Sequence, residues 1–136
     1  MADLTDLART HLAAALADER GRSAELILRD GPLRQSVIAL RSGIELAEHN
    51  SPDAASLQVL VGRVRVTGQP VSVTDQPANG TDRPVNGTGQ EVMEVAAGRL
   101  DLLTHHRHAV LALEDSVLLL TTVTGIGETG GPERAR

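Results

Sequence analysis

The chain of 136 residues contains no phenylalanine, tryptophan or tyrosine. Aromatic side chains bury the largest areas and dominate most interfaces, so a chain without them must build an aliphatic core. Leu, Val and Ile number 19, 13 and 4. That is about a quarter of the residues, above the roughly one-fifth level below which chains tend to stay disordered, and the length suits one domain with a core of its own. The same absence restricts partners. Readers of single-stranded nucleic acid stack bases on aromatic rings, and duplex binders need a basic surface. Here 18 acidic residues outweigh 13 basic ones, all Arg, for a net charge of −5. Nucleic acid is excluded as the expected partner.

With no cysteine there is no disulfide, thiolate metal site or cysteine nucleophile. The opening residues, Met1 to Asp6, are acidic where a signal peptide is basic, and no apolar run approaches the ~18 residues of a membrane span. The expectation is a cytoplasmic protein with no membrane partner.

Residues 3–19 read as a helix. Leu4, Leu7, Ala8, His11, Leu12, Ala15 and Leu16 recur at three- and four-residue steps, with Asp3 or Thr5 as N-cap and Gly21 as the stop. Its single apolar stripe predicts packing on something else, and His11 falls on that stripe as a packing residue. From Ser23 the period becomes strand-like. Strands are expected at about 24–29, 33–41, 43–49, 56–67, 91–97, 100–104, 108–114 and 116–123, separated by turn signals such as Asp30-Gly31-Pro32, Ser42-Gly43 and Glu114-Asp115. Eight short strands at this spacing predict an all-β sandwich or barrel. Arg63-Val64-Arg65-Val66 alternates, so one face there is wet, with Arg63 and Arg65 as surface residues that could hold an anion; Arg34 and Arg41 have the same status. Val117 to Leu120 is apolar on both faces and predicts a buried strand.

Residues 69–89 carry a seven-residue repeat: Pro70, Pro77 and Pro84, then Thr74, Thr81 and Thr88. A proline in each unit forbids a helix, and the polar composition predicts a flexible loop. Asn79-Gly80-Thr81 and Asn86-Gly87-Thr88 match the glycosylation pattern, but without a secretion signal they read as Asn-Gly turns. Residues 125–136 are expected to be a flexible tail.

Two segments resemble the cupin superfamily of small double-stranded β-helix barrels. In the first, Gly43, His49 and Gly62 fall in register with the family's first motif, a glycine, a His-x-His pair, a Glu and a closing glycine. The second, Gly98 to Ser116, is similar to the second motif, in which a His leads the next strand; here that is His108. The resemblance covers roughly residues 22–123, and the wording from Ala112 to Thr121 is close to small bacterial one-domain cupins. It implies a single barrel over 22–124, a helix over 1–21 outside it, and the repeat at 69–89 as an insertion.

Metal-binding cupins hold one divalent ion with two His and a Glu from the first motif and a His from the second. Here Ser51 stands at the second His position and Ala55 at the Glu position, and Thr104-His105-His106-Arg107 replaces the usual Pro/Gly turn. The resemblance thus leaves His49 and His108 as ligands. His106, two residues before His108, shares its face on a regular strand and is the third candidate. Glu45 shares a face with His49 by the same parity, and Gln58 lies opposite Ala55 in strand phase. Other readings stand beside these: His-His-Arg-His as a solvated turn, and His49 as a hydrogen-bonded neutral imidazole in the barrel mouth. Two or three imidazoles without a carboxylate would favour Zn or Ni over Fe or Mn and hold it weakly.

No phosphate-cradling glycine loop, Gly-x-Ser-x-Gly elbow or paired helical histidine motif occurs. The expected function is binding of a small-molecule ligand, with or without one divalent metal, in the barrel mouth. The alternative is a metal-dependent oxygenase or isomerase acting on a small polar molecule. A homodimer is expected from the Val/Leu-rich outer faces.

Overall fold

A computed structural model describes residues 1–47, 54–70, 90–103 and 108–124. Helix α1 spans Leu4–Ala17 and is followed by nine strands: β1 Arg22–Asp30, β2 Leu33–Leu40, β3 Glu45–Leu46, β4 Ala54–Val61, β5 Arg63–Pro70, β6 Gln90–Ala96, β7 Leu100–Leu102, β8 His108–Ala112 and β9 Ser116–Val123. They form two antiparallel sheets, ordered β1-β2-β9-β4-β7 and β3-β8-β5-β6. The all-β barrel with an N-terminal helix is as expected.

The chain crosses between the sheets where sequence periodicity suggested no break. The apolar stretch 56–67, read as one strand, is two: β4 in the five-stranded sheet and β5 in the four-stranded one. Gly62 makes the switch at φ 84°, a left-handed conformation that a side chain would strain. A Cβ there would also collide with the Asp115 carbonyl and the Ser116 hydroxyl. A lone glycine between two apolar strands is a weak turn signal, which is why periodicity ran through it. The strand expected at 43–49 is described only at Glu45–Leu46, and β5 continues to Pro70, into what was read as the insertion.

Alternation splits the apolar residues between two cores. Leu57, Val59, Val64, Val66, Val110, Ala112 and Leu118 pack between the sheets. Val37, Ala39, Val117 and Leu119 face outward and are covered by Ala8 and Ala15 of α1. β9 is thus buried on both faces, as its sequence predicts. The helix begins at Asp3, whose carboxylate accepts the Asp6 N–H at 3.1 Å, an N-cap that satisfies one of the free donors of the first turn. The helix ends earlier than expected, at Ala17, with Asp18 as C-cap donating its N–H to the Ala15 carbonyl and Gly21 (φ 71°) lying beyond it in the turn to β1; the Arg41 guanidinium donates to the Asp18 carbonyl at 3.1 Å and supplies the cation that the last turn lacks. His11 does more than pack. Ser23 Oγ lies 2.7 Å from Nδ1 and Glu25 Oε1 lies 2.9 Å from Nε2, so it ties α1 to β1. Among the described residues, no helix is long and apolar enough to cross a membrane.

Candidate functional site

The strand pairings give the barrel two unlike ends. At one end Gly21, Gly43, Gly62 and Gly98, all with positive φ, make tight connections. At the opposite end, the mouth, β4, β6 and β8 begin and β5, β7 and β9 finish: Ala54 lies opposite Val123, Gln90 opposite Pro70 and His108 opposite Gly68.

His108 is the first residue of β8 and is half-buried. It shares a face with Val110 and Ala112, both in the inner core, so alternation puts it on the inner wall at the mouth. Its partner Gly68 leaves that part of the wall without a side chain. Register with Val110 and Ala112 thus turns His108 inward. His49 and His106 lie outside the described residues, as does Ser51.

On the facing sheet Ala55 is 6 % exposed and belongs to the inner core. The position that the resemblance gives to a carboxylate thus points inward but carries a methyl group. Next to it Leu103 N–H donates to the Ala55 carbonyl at 2.9 Å. Glu45 does not replace the missing carboxylate. It pairs with Leu111 while Leu46 turns into the inner core, so Glu45 is exposed on the outer face. Gln58 sits between inward Leu57 and Val59 and faces outward; the bulge in β4 falls later, between Val59 and Val61.

Arg63 and Arg65 lie on the wet face as expected, but both are neutralised. Arg63 reaches Glu94 at 3.3 Å and Glu114 at 3.7 Å, and Arg65 reaches Glu94 at 3.5 Å. Arg34 departs from its expected wet-face status: opposite Thr122, which is opposite Ala55, it lies on the inner face at the mouth and is half-buried.

Sequence reasoning also missed Asp101. It is 8 % exposed, while its neighbours Leu100 and Leu102 are 68 % and 53 % exposed. The pattern is inverted, with the acid inside and the leucines outside. Pairing with Leu57 of β4 forces it inward, and no signal in Leu100-Asp101-Leu102 alone could say so. Asp101 also lines a cleft of about 320 Å³ beside Met93, Val95 and Arg99, between the β6 and β7 edges.

Among the described residues, no group of three or more His, Asp or Glu side chains could hold a metal ion. One inward imidazole with a methyl at the carboxylate position does not by itself make a metal centre, since such sites take three or four protein ligands.

No sequence-family model matches the chain, and no curated protein matches it in sequence. Solved structures do. A conserved protein of unknown function from Streptococcus pyogenes superposes with TM-score 0.58 at 23 % identity, covering 79 % of this chain and 78 % of its own. A cupin superfamily protein from Desulfitobacterium hafniense gives 0.57 at 12 % identity, covering 76 % and 78 %. KdgF from a Halomonas species gives 0.54 at 17 % identity, covering 79 % and 84 %. Two sheets in this order around an aliphatic interior are the cupin barrel: the protein has the fold of the small cupins, with α1 packed on the outside.

Proposed function

We propose that this small cupin-fold protein binds a small-molecule ligand in the barrel mouth. The observation that carries the reading is the inward His108 at the mouth, facing a wall in which Ala55 has replaced the carboxylate. The polar residues that register turns inward at this end, Arg34, Thr122 and His108, suit recognition of a polar molecule. His49, His106 and His108 are proposed as an accessory site for one divalent ion, weak because no carboxylate joins it and sensitive to pH because protons compete for each imidazole. Zn or Ni is favoured over Fe or Mn. The metal-dependent oxygenase or isomerase is the second reading, and the retained inward His108 is what favours it.

Elemental analysis of purified protein with calorimetric titration of Zn(II) and Mn(II) tests this. The expected result is sub-stoichiometric metal and weak Zn(II) binding that His108→Ala and His49→Ala each abolish. Tight one-to-one Fe or Mn would favour the enzyme. Zn(II) binding undisturbed by both substitutions would remove the mouth as the metal site.

The proposed homodimer has a narrower basis than the outer-face argument supposes, since α1 already covers β2 and β9. Leu100 and Leu102 remain exposed on edge strand β7 and are the surface for a second copy. Light scattering of wild type and Leu100→Ser decides: a monomeric wild type ends the proposal.

A further inference from the structure

The β1–β2 hairpin places two arginines where they repel one another. Arg29 and Arg34 are direct cross-strand partners, and like charges in that relation are destabilising. Arg34 lies opposite Thr122 and Thr122 opposite Ala55, so Arg29, Arg34, Thr122 and Ala55 form one row across four adjacent strands. Ala55 is part of the inner core, which fixes that row on the inner face.

Arg29 reaches this face only through a bulge. Leu26 lies opposite Ser36, but Leu28 lies opposite Gln35, and the extra residue reverses the alternation. In an unbroken strand Arg29 would share the helix-facing side with Glu25, which bonds His11, and Ile27, which packs under α1. Bulges near sheet edges commonly re-aim a side chain in this way. Here the result is a like-charge pair brought together.

Nothing in the described structure neutralises the pair. Among the described residues neither Arg29 nor Arg34 makes an ion pair. The inner-facing positions of β1, β2, β9 and β4 include no Asp or Glu. Arg63 and Arg65, on the outer face of the other sheet, share Glu94 instead. Two arginines directly opposite one another, Arg29 exposed and Arg34 half-buried, with a threonine next in the row, place on one face side chains whose donors suit an oxyanion.

We infer that Arg29 and Arg34 bind a carboxylate or phosphate group of a small molecule at the rim of the mouth, with Thr122 as a further donor. The inference rests on the mouth as the ligand site and adds the charge class of the ligand.

Titrating the full chain with inorganic phosphate and, separately, malonate, followed by amide NMR shifts and thermal melting, tests it. Expected are saturable, salt-sensitive shifts at Arg34 and Thr122 with either anion. Affinity falls about tenfold or more in Arg34→Gln and stays unchanged in Arg63→Gln. Without anion, Arg34→Gln melts at or above the wild-type temperature because the like-charge contact is gone, and the anion raises the melting temperature of wild type only. If Arg34→Gln fails to fold, Arg29→Gln carries the same expectations. Response to phosphate alone would assign a phosphoryl ligand, and to malonate alone a carboxylate; both support the site. No saturable response to either anion, or binding undiminished in the variants, overturns it. Zn(II) titration of separate, anion-free samples separates the failures: shifts at His108 keep the mouth as a binding site without the arginine site, and their absence, together with no response to either anion, leaves no support for the mouth reading.

Discussion

The two ends of the barrel use their residues differently. At the turn end, polar groups are engaged in holding the chain's path. Ser116 is fully buried; its hydroxyl accepts the Arg63 N–H at 3.1 Å and faces the Glu114 carbonyl at 2.7 Å. Asp115 accepts the Ser42 N–H at 2.8 Å. Gly98 N–H donates to the Val59 carbonyl at 2.8 Å, and Ala97 N–H to the Gly62 carbonyl at 2.9 Å. At the mouth, by contrast, Arg34 and Thr122 stand on the inner wall where a core residue would stabilise more. Alternation is the same at both ends, so the difference lies in which residues the register delivers inward. Polar groups that hold the chain's path are concentrated at one end and the proposed ligand site lies at the other, the arrangement of a rigid scaffold that presents a site at its rim.

Substitutions at the two ends should therefore separate by size of effect. Gly62→Ala forces a side chain into a left-handed turn against Asp115 and Ser116, and should cost about 3 kcal/mol or more in denaturant melts. A near-neutral result would mean the β4–β5 switch is not made as described. Ser116→Ala, which leaves the partly buried Arg63 N–H without its acceptor, should cost about 1–3 kcal/mol.

At the mouth, Ala55→Glu returns a carboxylate to the inner wall. It should lower metal-free stability by about 1–3 kcal/mol through crowding and desolvation, yet gain more stability from added Zn(II) than wild type does, by mass action. That gain should fade as pH falls through the ordinary imidazole value of about 6.5, since protonated His cannot coordinate. A loss of stability that Zn(II) does not offset would place Ala55 away from any metal position. The smallest effect belongs to Thr122→Ala, within about 0.5 kcal/mol of wild type but weaker in phosphate or malonate binding. Equal costs at Ser116 and Thr122 would erase the distinction between the ends.

Much of the fold is legible in the sequence, because β5 alternates with period 2, β2 and β9 carry apolar runs long enough for buried strands, and glycines punctuate the turn end. Asp3 marks the start of α1 by its chemistry alone, whereas Gly21 lies beyond the end, which falls at Ala17 with Asp18 as cap. The site is less legible, for reasons of register. Whether Arg29 faces in or out depends on the bulge between Leu26 and Leu28, and bulges leave no hydropathy trace. The inward place of Asp101 is set by its pairing with Leu57, which the residues of β7 alone do not reveal. Glu45 fails as a ligand because Leu46, its neighbour, takes the inward place. His108 is singled out only by resemblance to a known motif, and the inward face it takes comes from its register with Gly68 beside Val110 and Ala112.

Residue-resolved hydrogen exchange of the full chain, alone and with added Zn(II) or phosphate, tests the division between the ends most directly. Slow exchange at Ser116, Ala97 and Gly98 without ligand is expected, as is ligand-dependent protection confined to the mouth, at Arg34, Gly68, His108 and Thr122. Protection appearing at the turn end or around Arg63 and Glu94, with the mouth unchanged, would contradict the assignment of ligand binding to the mouth.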